Sequence, residues 1–205
     1  MGKQARSRVT YARILDAAAT EFARHGYANA SLQEIALRTG LTKGALYGHF
    51  ASKEHLAETL VRRLDVKPPD PQPTADPLNA SALGQLRDLT CDFATRIETD
   101  IQVNAAVRLA VDAAQKPDAR SESLHHIAGR ALELADRAED NYELEPPLTA
   151  EVVADLMMTM LVGAYCTATT ADRRNLSARI ERMWDAVMPA IAAWRLRSGR
   201  CPPPR

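Results

Sequence analysis

The chain is 205 residues long, balances 26 Lys and Arg against 26 Asp and Glu, and is poor in aromatics, with 3 Phe, 2 Trp and 5 Tyr. Such a length holds either one large domain or a small head and a larger body, and the wealth of Ala, Leu and Arg favours an all-α fold. Cys91, Cys166 and Cys201 form neither a CxxC pair nor a Cys/His ligand pattern, which argues against a disulfide framework and a zinc site. The first ten residues are polar and no apolar run reaches transmembrane length. The expectation is therefore a soluble, cytoplasmic protein.

The charge balance hides an asymmetry. Residues 1–65 carry ten Lys and Arg against six Asp and Glu, a net +4 that the remainder offsets with −4. A basic head on an acidic body is weak support for a polyanion-binding module joined to something else.

In chain order, Arg6 to His25 is predicted as the first helix. Leu15, Ala18, Ala19 and Phe22 follow helical spacing, and Gly26 closes the helix in a left-handed C′ role. Ser31 caps a second helix that ends by Thr39-Gly40, with Glu34 completing a capping box. Thr42 caps a short third helix ending near His49-Phe50, and Ser52 caps a fourth, Lys53 to about Asp65. Five prolines between Lys67 and Asn79 make that stretch a linker. The predicted division is thus a head at 1–65, a linker at 66–79 and a body at 80–205.

Five helices are expected in the body: 80–99, 101–115, Ser121 to Asn141 after a break at Lys116-Pro117, Thr149-capped to about Thr170, and Asn175 or Leu176 to Ser198. Pro189 is expected to kink the last of these. A disordered tail follows from Gly199.

The informative stretch is Leu32 to Phe50. Two short helices meet across Thr39-Gly40-Leu41. Ala36 is small where they touch, Gly40 supplies a turn of positive φ, Ile35, Leu41 and Leu46 point inward, and Phe50 plugs the base. This is helix-turn-helix stereochemistry, whose second helix enters the major groove of DNA.

Gly26-Tyr27, Ser31-Leu32, Ile35-Ala36, Gly40, Thr42-Lys43-Gly44-Ala45-Leu46-Tyr47, His49-Phe50 and Lys53-Glu54 resemble the head of the tetracycline-repressor (TetR) family over roughly residues 8–60. That resemblance implies an all-helical homodimer, a head that binds a palindromic operator, and a body that holds an effector pocket and the dimer helices. It implies no cofactor, no membrane and no catalysis. Thr42 to Tyr47 and Asn104 to Val111 further resemble the γ-butyrolactone receptor group of actinomycetes. The resemblance implies a tryptophan over the ligand in the helix after Pro117. Leu124 stands there instead, and both tryptophans lie in the last helix. This departure favours the pseudo-receptor branch, which senses antibiotics or their intermediates.

Candidate DNA contacts follow. Lys43 either reads guanine O6/N7 or contacts phosphate. Thr42 caps the recognition helix with its amides toward phosphate, and Gly44 admits the DNA backbone. Ser31, Tyr47, His49 and Lys53 are assigned to the same surface. Tyr47, His49 and Lys53 are phosphate contacts, with core packing the alternative for the Tyr47 ring and solvation for Lys53. Arg6 and Arg8 form an arm for phosphate or the minor groove, the alternative being a tail that never touches DNA.

Candidate effector contacts are Leu89, Phe93, Ile97, Val107, Val111, Leu124, Ile127, Met157, Met160 and Leu161, with Leu109 also facing inward. Most of such a stripe must be ordinary core. Candidate dimer residues are Val153, Leu156, Ile180, Trp184, Val187 and Ile191. No metal site is assigned, since His125 and His126 point about 100° apart on a helix and are read as solvent-facing.

The reading is a repressor released from its operator by a small hydrophobic effector. The rivals are an enzyme, for which no nucleophile–base pair or phosphate loop is present, and a helical interaction protein or ligand-independent DNA-binding regulator.

Overall fold

The computed structural model describes residues 3–65, 81–114, 124–168 and 175–193. The expected linker, the Lys116-Pro117 break, Cys201, Trp194 and the tail lie outside the described residues. Those described form nine α-helices: α1 (Lys3–Asn29), α2 (Leu32–Thr39), α3 (Lys43–Tyr47), α4 (Lys53–Val61), α5 (Ala82–Thr99), α6 (Ile101–Ala114), α7 (His125–Asp140), α8 (Ala150–Thr167) and α9 (Leu176–Ile191). One 3₁₀ turn, Arg62–Asp65, follows α4.

The chain divides into two compact units, Met1–Lys67 with Thr99–His125, and Pro68–Glu98 with His126–Arg205. The sequence reading puts α6 in the body; it clusters with the head instead. The reason is its apolar face. Ala105 and Leu109 join Ile14, Leu15, Ala18, Phe22, Ile35, Leu46, Phe50, Leu56 and Leu60 in one buried cluster. Leu109, expected among the effector contacts, is therefore head core.

Two further expectations change in the head. Gly26 has φ 69° and ψ 179°, a positive-φ conformation essentially restricted to glycine and not the left-handed helical C′ geometry. The helix kinks there and resumes to Asn29. Ser31 Oγ accepts from the Glu34 amide at 3.4 Å, yet Glu34 does not complete the capping box. The Ser31 N–H donates to Glu21 Oε1 at 3.1 Å, because the nearly inaccessible Glu21 carboxylate of α1 lies against that corner.

In the second unit, carboxylates remote in sequence satisfy helix N-termini, whose first amides lack intrahelical partners. Glu143 accepts from the amides of Ala82 and Leu83 at 3.1 and 2.8 Å, beside Ser81 Oγ, which takes the Gly84 amide. Tyr142 closes α7 with a left-handed φ of 56°, and the chain turns inward behind it to Glu143. Thr149 makes no side-chain cap; Glu139 takes the Ala150 amide at 2.6 Å. Asn175 makes none either, and Glu98 takes the Ser177 amide at 2.6 Å.

The last helix ends at Ile191, two residues past Pro189, and not at Ser198. Its end is claimed by another segment: Glu145 N–H donates to Ile191 O at 2.9 Å and Ala193 N–H to Glu143 O at 2.7 Å. An isolated bridge pairs Leu144 with Ala192.

The α8 helix is, contrary to the sequence reading, long and apolar enough to cross a membrane, with a mean hydropathy of 1.3 over 18 residues. Val153, Met157, Met160, Leu161, Ala164 and Tyr165 are buried in the second unit, as core helix side chains are.

Burial pushes the Cys91 thiol up to about 11, with nearby Arg87 opposing and Glu181, Asp88 and Asp92 adding to the rise. Cys166 is exposed. Since the thiolate is the nucleophile, iodoacetamide at pH 8 is expected to label Cys166 and spare Cys91. Peptide mass mapping after alkylation checks this, and modification of Cys91 as fast as Cys166 would contradict it.

Candidate nucleic-acid interface

Helix α3 is five residues long, too short to hold itself together, so its position must come from its neighbours. Three local devices supply it. Gly40 takes φ 68°, ψ 21°, the left-handed turn the helix pair needs, and its amide closes on α2 through Leu37 O. Thr42 caps α3 by accepting from the Ala45 amide at 3.1 Å. Leu46 and Phe50 are fully buried and hold α3 from behind.

The outer edge of α3 is consequently open. Thr42, Lys43, Gly44, Ala45 and Gly48 are exposed, and Tyr47 shows 44% of its surface. Nothing lies within 4 Å of where a Gly44 Cβ would be. His49 is half-buried at the end of this edge. Arg6 and Arg8 are exposed on the first turns of α1, which makes them part of a helix and not a loose arm.

Ser31, the expected α2 cap, and Lys53 are less open than the α3 edge. Both are half-buried. Ser31 serves as the α2 cap. Lys53 Nζ donates to Ala28 O at 3.2 Å and lies 4.9 Å from the centre of the Tyr27 ring. Burial lowers its pKa, with Glu21 acting against the shift. Its ammonium thus ties α4 to the corner after α1, an intramolecular role absent from the sequence reading.

Tyr11 went unassigned in the sequence. It stacks on Phe50 with ring centroids 4.7 Å apart and an interplanar angle of 24°, beside the α3 edge. The signal was available: Tyr11 extends the Ile14, Leu15, Ala18 stripe by one turn. Arg13, also unassigned, donates to Thr39 O at 3.2 Å and so is bonded to the last residue of α2.

Residues 14–60 match the family of bacterial regulatory proteins, tetR family. Over 197 residues the chain is 32% identical to the A-factor receptor protein of Streptomyces griseus, spanning 94% of this chain and 67% of that protein. The chain belongs to the tetR family. Among solved structures, full-length native TylP, a TetR regulator from Streptomyces fradiae, matches this tetR-family chain with a TM-score of 0.69 at 32% identity, covering 95% of this chain and 90% of TylP. CprB from Streptomyces coelicolor, solved in complex with its operator sequence, gives a TM-score of 0.68 at 28% identity, covering 95% and 94%. This tetR-family protein is accordingly a DNA-binding transcriptional regulator, not an enzyme, and it resembles the γ-butyrolactone receptors.

The expected effector residues are distributed over both units. Phe93 and Ile97 on α5 and Met157, Met160 and Leu161 on α8 are buried in the second unit. Leu89 and Ile127 of that unit are half-buried. Val107, Val111 and Leu124 belong to the first unit, Val107 buried and the other two half-buried. His125 and His126 are exposed, as expected.

The dimer assignment needs correction. Val153, Ile180, Trp184 and Ile191 are buried within the single chain, and Trp184 Nε1 donates to Thr90 Oγ1 of α5 at 3.0 Å. Their stripe is the inner face of α8 and α9. Sequence periodicity identified an apolar seam without saying which neighbour it meets. Only Leu156 of that set is exposed, beside Val152, while Val187 is half-buried.

Proposed function

We propose that the protein is a homodimeric repressor that grips a palindromic operator with two copies of α3 and leaves it when a small hydrophobic effector occupies the body. The observation that carries this is the α3 edge: a capped, back-anchored helix whose Thr42, Lys43, Gly44 and Tyr47 all face outward. A five-residue helix held this firmly presents a ready-made reading surface, and reading from it needs little ordering on binding. Lys43 reads a base edge, Tyr47 and His49 reach phosphate, and Arg6 and Arg8 lie along the backbone. Two copies must sit about 34 Å apart to meet successive major grooves.

The outer face of α8 supports the dimer. Val152 and Leu156 are 52% and 37% exposed on the outer face of α8, which also carries the exposed Glu151 and Asp155. Exposed apolar residues on such a helix are a natural seam for a second copy. The effector reading draws on Phe93, Ile97, Met157, Met160 and Leu161, apolar side chains of one unit that include two adaptable methionines. The likeness to a solved γ-butyrolactone receptor supports a small molecule as the class of effector.

The test has two arms. Selection from random duplexes is expected to yield a palindrome whose gel shift survives competitor DNA and a salt titration; a purely non-specific, salt-fragile shift would refute operator reading. Sedimentation is expected to give twice the chain mass for the wild type and a shift toward the single-chain mass for Leu156→Glu, with the protomer still helical. A wild type that sediments as a monomer, or a Leu156→Glu variant that stays dimeric, would refute the interface.

A further inference from the structure

We infer that Asp112 is a positioning residue for operator binding, tying the C-terminal end of α6 to the corner on which α4 and the recognition helix are mounted. This rests on the operator-reading role of α3 proposed above.

The joint is built from atoms far apart in sequence. Asp112 Oδ2 accepts from the Tyr27 amide at 3.0 Å. Asp112 Oδ1 accepts from Arg108 Nε at 2.9 Å, one turn back on α6, so the guanidinium aims the carboxylate. Gly26 admits it: a Cβ there would stand 2.6 Å from Asp112 Oδ2 and 3.2 Å from the Arg108 guanidinium. Glycine at this position therefore meets two demands, the backbone of positive φ and the close approach of a side chain from another helix.

On its other side Tyr27 holds α4. Its ring lies under the Lys53 ammonium, which also donates to Ala28 O, and burial together with the neighbouring Glu54 carboxylate raises the pKa of its hydroxyl. Lys53 and Glu54 are the first two residues of α4. The helix follows α3 after Phe50, whose ring stacks on Tyr11 and packs against His55. A displacement at Asp112 thus reaches the first turn of α4 through one residue.

The opposite end of α6 is fastened as well, by Gln102 Nε2 donating to Asp16 Oδ1 of α1 at 2.6 Å. In sequence, α6 is flanked by segments of the second unit, which ends at Glu98 before it and resumes at His126 after it.

The test uses the full-length chain, with Asp112→Ala and the near-isosteric Asp112→Asn, which keeps an acceptor for the Tyr27 amide. Hydrogen exchange is expected to quicken in peptides covering 42–56 of Asp112→Ala, with the α8 peptides unchanged. Affinity for the selected duplex is expected to fall about tenfold in Asp112→Ala, a typical size for coupling between sites. Asp112→Asn is expected to recover most of both effects. Unchanged exchange at 42–56, unchanged affinity, or faster exchange spread evenly over the whole head in both variants would each overturn the assignment. If wild type selects no duplex, the operator reading fails on its own, and the exchange pattern still decides whether Asp112 holds α4.

Discussion

Replacing Lys43 with alanine is expected to cut operator affinity by about 1–3 kcal/mol, the usual size of one good base contact. Lys43 is exposed at the first position of α3, and none of the core residues behind the helix depends on it. The melting temperature should therefore stay at the wild-type value. If the ammonium reads a base, the loss should be largest for the native operator and small for duplexes altered at the contacted pair. If it meets phosphate alone, affinity should fall uniformly across sequences, and the slope of log K against log salt should shrink by about one. Titrating wild type and Lys43→Ala against the selected duplex and its single-pair variants, at several salt concentrations, separates the two. A variant that binds as tightly and as selectively as wild type would remove α3 from the reading surface.

Trp184→Ala is expected to be the most damaging single change in the second unit, costing about 3–5 kcal/mol. The indole is only 1% exposed, and its N–H is satisfied by the fully buried Thr90 hydroxyl, which itself donates to Leu86 O at 2.7 Å. Truncation opens a cavity and strips Thr90 of its donor, against a total domain stability of about 5–15 kcal/mol. Trp184→Phe retains most of the apolar volume and loses the hydrogen bond, so it should cost markedly less. Denaturant melts followed by circular dichroism give both values. A Trp184→Ala midpoint equal to wild type would mean the indole does not sit in the protomer core, and would revive its assignment to the dimer seam.

The head was legible because its instructions are local. Ser31, Thr42 and Ser52 each cap the helix that follows within three residues, accepting from Glu34, Ala45 and His55. Gly40 takes the left-handed turn, and Leu46 and Phe50 are as buried as their spacing requires. Each signal concerns residues so close in the chain that backbone geometry alone brings them together. The exposed edge of α3 followed from the same pattern, since the residues left over once the inward ones are counted must face outward.

The second unit yielded its helices but not their faces. Periodicity located Ile180, Trp184 and Ile191 on one stripe, and the stripe is real. That it meets α5 through Thr90, and not another copy of the chain, depends on a hydroxyl 94 residues away. The extension to Ser198 failed in the same way, because the end of α9 is taken by Glu143 and Glu145 from a different part of the chain.

Helix content, the helix-turn-helix and its outward edge were thus determined by the sequence by itself, through short-range propensities and hydrogen bonds that close within a few residues. The tertiary structure alone decided that Glu98, Glu139 and Glu143 satisfy the helix starts of the second unit, that Lys53 is turned onto Tyr27, and that α6 belongs with the head. The physical reason is the same in each case. A charged or polar side chain finds its partner by proximity in space, and proximity between residues from 11 to 79 positions apart exists only once the apolar faces have packed.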